Sequence, residues 1–393
     1  MKTKMCPVRM SESDNSLLDF KAIFLGISKS ALMRDGAFIH WADKGMDAEK
    51  ILSMYKSSNS EEKNQLINML FEHYRRTGYP HNKLSSTKIA KQMQQIAKSK
   101  TPLMDEDNLQ TNTVGLPLVN FYHPHMLKVR CLKKYKSPYE LFTDDDGFRD
   151  AIRAWLDLGK KPDPSGIRRI LRTRDGTRSV VNFKPVIARY LYDTYAPANG
   201  RVLDPCAGYG GRLAGCIASN KGLHYHGIDP MGATAVGNMK MASFFNSQYG
   251  TFEDKMWNFG FTFDLGCAED VMPKLVSESY DLIFTSPPYF DVEQYSHEKT
   301  QSFVRYPTYD VWREKFLFSV LNESCRLAKV GGYVIFNVKN YKKAPIADDL
   351  SAFLLSKGME LIKVYQMRMP NSEFHRKEGK QWHGEPIFVF RKN

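Results

Sequence analysis

From residue 182 onward the chain alternates short apolar runs with helically spaced segments, and this alternation constrains the fold more than any other feature. Runs at 201–203, 224–228, 261–265, 280–284 and 333–338 read as strands, whereas 185–195, 212–219, 234–245, 312–328 and 346–357 read as helices. Strands joined through helices cannot pair as tight hairpins, so the pattern predicts a parallel, doubly wound α/β sheet. The runs at 360–367 and 386–391 have no helical pattern between them and predict a C-terminal antiparallel hairpin. In such sheets ligands lie outside the carboxyl ends of the strands.

Ahead of this region the texture differs. Residues 1–16 are polar and read as a disordered tail, and 17–180 read as a mostly helical domain. Helices are expected over 48–55, 61–75 and 146–158, another after the Ser85-Ser86-Thr87 cap, and a short basic one capped by Ser165. The stretch 101–124, rich in Pro, Asn and Gly, reads as a loop. Residues 1–180 contain 31 Lys and Arg against 21 Asp and Glu, and residues 181–393 contain 25 against 22, so most of the net charge of +13 lies in the first part. That bias points to phosphate contacts, and so to nucleic acid recognition by 17–180. Lys128, Arg130, Lys133 and Lys134, interleaved with Tyr135, form one candidate surface; Arg168, Arg169 and Arg172 form another. A solvated basic face paired with Asp157, Asp163 and Asp175 accounts for the second cluster equally well.

At 393 residues and 42% hydrophobic composition the chain can bury a substantial core. Its six cysteines show no CxxC spacing, so neither a metal site nor a disulfide framework is expected. No run of 18 apolar residues and no signal-peptide pattern is present, and the expectation is a soluble, cytoplasmic protein without membrane contact.

Candidate chemistry sits at four successive strand ends. The strand at 280–284 runs into Thr285-Ser286-Pro287-Pro288-Tyr289-Phe290, where two prolines lacking N–H groups force the chain out of the sheet. A rigid turn carrying a hydroxyl, fixed carbonyls and a ring suits a flat, polar group such as a nucleobase with an exocyclic amine. Asp204-Pro205-Cys206-Ala207-Gly208-Tyr209-Gly210-Gly211-Arg212 follows the strand at 201–203, and its glycines permit positive φ and close backbone approach. It lacks the GK[ST] of a phosphate loop, and its leading acid, placed against a ligand, suits a cationic partner. Asp229, at the next strand end, can accept both hydroxyls of a ribose. Asp270, after Cys267-Ala268-Glu269, can accept from an adenine amine, with Ala268 leaving room for the ring.

The order Asn182-Phe183-Lys184-Pro185, DPCAGYGG, GIDP, CAED and TSPPY resembles the amino-directed S-adenosylmethionine-dependent DNA methyltransferases of phage and restriction systems, over about 180–393. The SPPY element is its most specific part. The resemblance implies a Rossmann-like methyltransferase sheet with S-adenosyl-L-methionine as cofactor. It places Phe183, Lys184, Pro185, Asp204, Cys206, Ala207, Gly208 and Gly210 around the methionine part. Asp229 and Pro230 come to the ribose, Ala268, Glu269 and Asp270 to the adenine, and Thr285 borders the site. Ser286, Pro287, Pro288 and Tyr289 become the catalytic turn, with Ser286 and the Pro287 carbonyl accepting the amine hydrogens and Tyr289 stacking on an extruded base. Serine at the first position resembles the cytosine-N4 branch more than the adenine-N6 branch. Phe290, Tyr295 and Tyr306 are candidates for the base pocket, and Asn337 and Lys339, at a strand end, for the active cleft. Cytosine-C5 chemistry would need a cysteine nucleophile, and Cys206 sits in the cofactor loop instead. Only about 75 residues separate DPCAGYGG from TSPPY, so target recognition falls to 1–180 or 291–309, and RNA stands beside DNA as a partner. A third reading is a non-catalytic nucleic-acid-binding scaffold.

Overall fold

The computed structural model describes residues 47–247, 251–252, 255–296, 298–341, 344–369 and 383–393. The expected tail at 1–16 and the start of the helical domain lie outside them. The chain forms two compact units, one from the chain up to Pro80 with Leu141–Arg174, the other from His81–Glu140 with Asp175–Asn393. The division therefore does not follow the boundary expected at 180, since 81–140 fold with the sheet.

The first unit packs the helices Ala48–Ser57, Ser60–Thr77, Asp145–Asp157 and Pro164–Thr173. Each begins on a side-chain cap from Asp47, Asn59, Asp144 or Asp163, which satisfies main-chain donors that the first turn leaves unpaired. Leu66, Leu70, Phe71, Phe148, Ile152, Ile167 and Leu171 form its buried interior. The last helix begins two residues earlier than the Ser165 cap predicts, because Asp163 takes the Gly166 N–H at 2.6 Å and Pro164 occupies the first turn. This changes the basic face expected there. Arg169 is exposed, but Arg168 is half-buried and donates to the Pro80 carbonyl at 2.9 Å, and Arg172 is also half-buried. Arg168 and Arg172 thus serve packing within this unit and do not line up as a phosphate-binding row.

The second unit is built on an eight-stranded sheet. Its strands are β1 (Asn108–Gln110), β2 (Arg201–Asp204), β3 (His224–Asp229), β4 (Gly260–Leu265), β5 (Tyr280–Thr285), β6 (Ala328–Asn337), β7 (Met359–Met369) and β8 (His383–Lys392), in spatial order β1-β7-β8-β6-β5-β2-β3-β4. The pairs from β6 through β4 are parallel, and β8 inserts antiparallel between β6 and β7. The doubly wound sheet and its closing hairpin are as the alternation predicts. Two cores cover its faces. One buries Val186, Leu191, Leu213, Ile217, Met241 and Phe245; the other buries Trp312, Leu317, Val320, Leu321, Ile346 and Leu350. Each such side chain contributes about 1.5–3 kcal/mol on burial. The long helix expected over 312–328 contains a π-helical turn, Arg313–Leu317, between Tyr309–Trp312 and Phe318–Leu327.

The segment 101–124, expected as a loop, supplies β1 and the helix Leu116–Tyr122. β1 pairs in parallel with β7, matching Leu109 to Met367, and Leu109 is fully buried. Helix Ser86–Ala97 lays Ile89, Met93 and Ile96 into the same core as the helix Pro185–Tyr195. Among the described residues no helix is long and apolar enough to cross a membrane.

Candidate functional site

A cavity of about 370 Å³ opens at the carboxyl ends of the central strands. Its wall is made by the loop after β2, by Asp229 and Pro230 after β3, by Cys267, Ala268 and Glu269 after β4, by Ser286–Tyr289 after β5, and by Phe183 and Lys184. The structure thus brings together most of the residues that the motifs single out.

The loop after β2 owes its shape to glycine. Gly208 and Gly210 lie at φ +55° and +78°, in the left-handed region that costs glycine nothing. The Gly208 N–H donates to Asp229 Oδ2 at 3.0 Å, and the Gly208 carbonyl accepts from Asn238 Nδ2 at 2.9 Å. Gly210 is the N-cap of helix Gly211–Ser219 and does not border the cavity; a Cβ there would lie 2.8 Å from the Met241 methyl.

Asp204 is the clearest correction. It is fully buried, outside the cavity wall, and it accepts from Arg212 Nε at 2.7 Å, Tyr225 O–H at 2.7 Å and Thr285 Oγ1 at 2.8 Å. Three donors, one of them a buried guanidinium, satisfy this carboxylate internally, so it faces no ligand. Arg212, in the first turn of helix Gly211–Ser219, neutralises Asp204 and donates to the Cys206 carbonyl. Thr285 is likewise buried, joining Asp204 to the Cys206 N–H, which it accepts at 3.1 Å. Pro185 starts its helix in the core and does not reach the cavity.

Asp229 does border the cavity, and its oxygens accept the N–H groups of Gly208 at 3.0 Å and Met231 at 2.9 Å. Burial pushes its pKa up to about 6 despite these donors. Because this lies above the ordinary carboxylate value, the group supports the fold at low pH, and the support is lost as pH rises through about 6.

Asp270 is held by Arg305, whose Nη1 and Nη2 lie 2.7 and 3.2 Å from its oxygens, and its side chain is half exposed outside the cavity. It is not free to meet a ring amine. Glu269 borders the cavity in its place: Oε1 accepts from Arg305 at 2.7 Å, while Oε2 is buried without a hydrogen-bond partner. Burial raises its pKa.

The turn after β5 places Ser286, Pro287, Pro288 and Tyr289 on the opposite wall, and the Tyr289 O–H donates to Glu385 on β8. Phe290 follows at φ +53°, a left-handed conformation that is strained for a ring-bearing residue. Its ring turns away, packing 5.9 Å from Tyr309 and 5.8 Å from Trp312, so Phe290 does not line the base pocket. Tyr306 is also outside the wall, under the Arg305 guanidinium at 5.3 Å. Tyr295, Asn337 and Lys339 do line it, and the Tyr295 O–H donates to Glu293. Cys206 borders the cavity, but burial pushes its thiol far above the usual range, which leaves it without nucleophilic thiolate.

The wall also holds residues that the motif reading assigns no role, among them Tyr209, whose buried O–H lacks a partner, and the acids Glu293 and Glu385. Tyr209 stands in the glycine loop, Glu293 comes to the wall in the strand that pairs with Arg130–Cys131, and Glu385 comes with the return of β8 beside β6. The first basic cluster lies at the cavity mouth, where Arg130–Cys131 pairs antiparallel with Glu293–Gln294. Arg130 is committed to Glu140, its Nε 2.7 and 2.9 Å from the two carboxylate oxygens, and Lys133 lies 3.7 Å from Asp291. Lys128 and Lys134 sit 5.0 Å over the rings of Tyr139 and Tyr135.

No protein-family model and no curated protein matches the chain. Among solved structures it is similar to a SAM-dependent methyltransferase from Methanosarcina mazei, at 12% identity over 54% of this chain and 99% of that one, with a TM-score of 0.36. NSun6 from Pyrococcus horikoshii with SFG is similar at 13% identity over 55% and 53% of the two chains, TM-score 0.37. TrmN from Thermus thermophilus is similar at 15% over 53% and 49%, TM-score 0.34. At these identities and scores the likenesses carry no argument about what this chain binds or transforms.

Proposed function

We propose that the protein is an S-adenosylmethionine-dependent methyltransferase acting on an exocyclic base amine of nucleic acid, with DNA cytosine N4 as the target. One observation carries the proposal: the Ser286–Tyr289 turn and the Gly208–Asp229 loop pair face the same cavity. The residues present fit the cofactor. The orphaned Glu269 Oε2 and Tyr209 O–H offer polar partners to a nucleoside, Asp229 retains acceptor capacity for ribose hydroxyls, and Gly208 exposes its main chain without a Cβ. When bound, S-adenosylmethionine supplies an electrophilic methyl group.

The chain's own residues do the rest. The lone pair of an exocyclic amine is shared with its ring, which makes the nitrogen a poor nucleophile. Ser286 and the Pro287 carbonyl accept the two amine hydrogens, biasing nitrogen toward a pyramidal geometry and fixing the direction of its lone pair. Tyr289, its hydroxyl anchored on Glu385, stacks on the base, and the aromatic and apolar wall excludes water. The serine at the head of the turn favours cytosine N4 through the resemblance noted above. The nearby cations favour a polyanionic partner.

Incubation with labelled S-adenosylmethionine and separate DNA and RNA pools, followed by mass spectrometry of the nucleosides, should return N4-methylcytosine from DNA. A methylated adenine or an RNA product would correct the target; cofactor binding with no transfer to any nucleic acid would favour the scaffold reading. Asp229 adds a pH test. Its ionised form is the one that accepts ribose hydroxyls, so cofactor affinity should fall as pH drops through about 6, and Asp229→Asn should bind weakly with a flattened profile. An unchanged inflection in Asp229→Asn would remove this residue from the ribose site.

A further inference from the structure

We infer that the segment 130–136 together with Arg178 forms a phosphate-gripping rim that holds the backbone of a single-stranded or extruded nucleotide at the cavity mouth. This rests on the proposed methyltransferase reading and names how its polymer substrate is held.

Four observations converge on the rim. It is stitched to the catalytic turn: Cys131 pairs with Glu293, the Leu132 N–H donates to the Val292 carbonyl at 2.7 Å, and the Val292 N–H donates to Tyr289 at 3.1 Å. It is also closed onto the chain ahead of Phe183, since the Lys136 N–H donates to the Gly176 carbonyl and the Arg178 N–H to the Lys136 carbonyl, each at 3.0 Å. Cys131, Leu132 and Arg178 themselves border the cavity. Finally, Leu132 holds φ +64°, a conformation a branched side chain adopts only when its surroundings impose it, across from Val292, which follows the strained Phe290 by two residues.

The charges on the rim are of two kinds. Arg130 and Lys133 are matched by Glu140 and Asp291. Arg178 and Lys134 instead lie over one ring, Tyr135, at 4.3 and 5.0 Å, and among the described residues neither has a carboxylate partner. A ring holds a cation in place without cancelling its charge. Two exposed, pre-positioned cations at the edge of the cavity suit the phosphates of a strand whose base has entered it. Of the acids nearest the rim, Asp291 is taken by Lys133 and Glu140 by Arg130, while Glu293 lies in the cavity wall and receives the Tyr295 hydroxyl.

The test is fluorescence anisotropy of a labelled single-stranded oligodeoxynucleotide over a range of salt, comparing the wild-type chain with Lys134→Ala/Arg178→Ala and with Lys240→Ala as a surface control. Each phosphate contact in single strands contributes about 0.7 to the slope of log affinity against log salt, so the double variant should lose about 1.4 from that slope and bind at least ~10-fold more weakly. Its thermal melting should match wild type, and the control should be unchanged throughout. Equal slope and affinity in the double variant, with wild type binding normally, would overturn the rim while leaving the methyltransferase reading intact. Displacement of the oligonucleotide by polyglutamate of equal charge at equal concentration would also overturn it, in favour of an acidic protein partner. Failure of the wild-type chain to bind any oligonucleotide would sink the nucleic-acid reading itself.

Discussion

Arg212→Met is expected to destabilise the protein by about 3–5 kcal/mol, measured by urea unfolding, because it strands the Asp204 carboxylate in the interior. Both side chains are almost wholly out of solvent, at 5% and 1% exposure. The Tyr225 and Thr285 hydroxyls that also donate to Asp204 cannot replace a charge. The double variant Asp204→Asn/Arg212→Met should recover a substantial part of the loss, since no charge is then left buried. A single variant within about 1 kcal/mol of wild type would mean that water reaches Asp204. Loss of the pair should also lower cofactor affinity, because Arg212 donates to the Cys206 carbonyl and Asp204 holds Thr285 against the Cys206 N–H.

Tyr289→Ala is expected to lower kcat/KM for methyl transfer by roughly 10- to 100-fold while S-adenosylmethionine still binds, in line with the ~1–3 kcal/mol that a stacked base loses on alanine substitution. Tyr289→Phe separates the two parts of the side chain. It keeps the ring and gives up the O–H donated to Glu385, and so should fall nearer to wild type. Isothermal titration with the cofactor and single-turnover transfer together decide the matter. Parallel loss of cofactor affinity in Tyr289→Ala would show that the ring supports the cofactor wall instead of the base.

The alternation after residue 182 made the parallel sheet legible because each strand and helix there is long enough to show its own period. The site was legible to a lesser degree. Motifs identify which strand ends carry ligands, and the Ser286–Tyr289 turn, Asp229 and Ala268 stand on the cavity wall. Motifs do not show which acid at a strand end faces inward. Asp204 and Asp270 read as ligands until Arg212 and Arg305, eight and thirty-five residues away, are seen to claim them. Arg168 and Arg172 illustrate the converse limit, since composition counts charges and cannot tell a solvated arginine from one bonded to a main-chain carbonyl. The three residues of β1 were invisible because a strand that short takes its identity from its neighbour.

β1 also has a bearing on how the molecule comes into being. Leu109 and its two neighbours leave the ribosome well before their partner strand, centred on Met367, is made. The hydrogen bond from Thr111 Oγ1 to the Arg368 carbonyl, at 2.6 Å, spans 257 positions of chain. This edge strand of the sheet is therefore translated long before it can dock, and closure of that edge waits on the synthesis of β7. Contacts this distant in sequence slow folding, and until they form, Leu109 and the open side of β7 remain available to other chains.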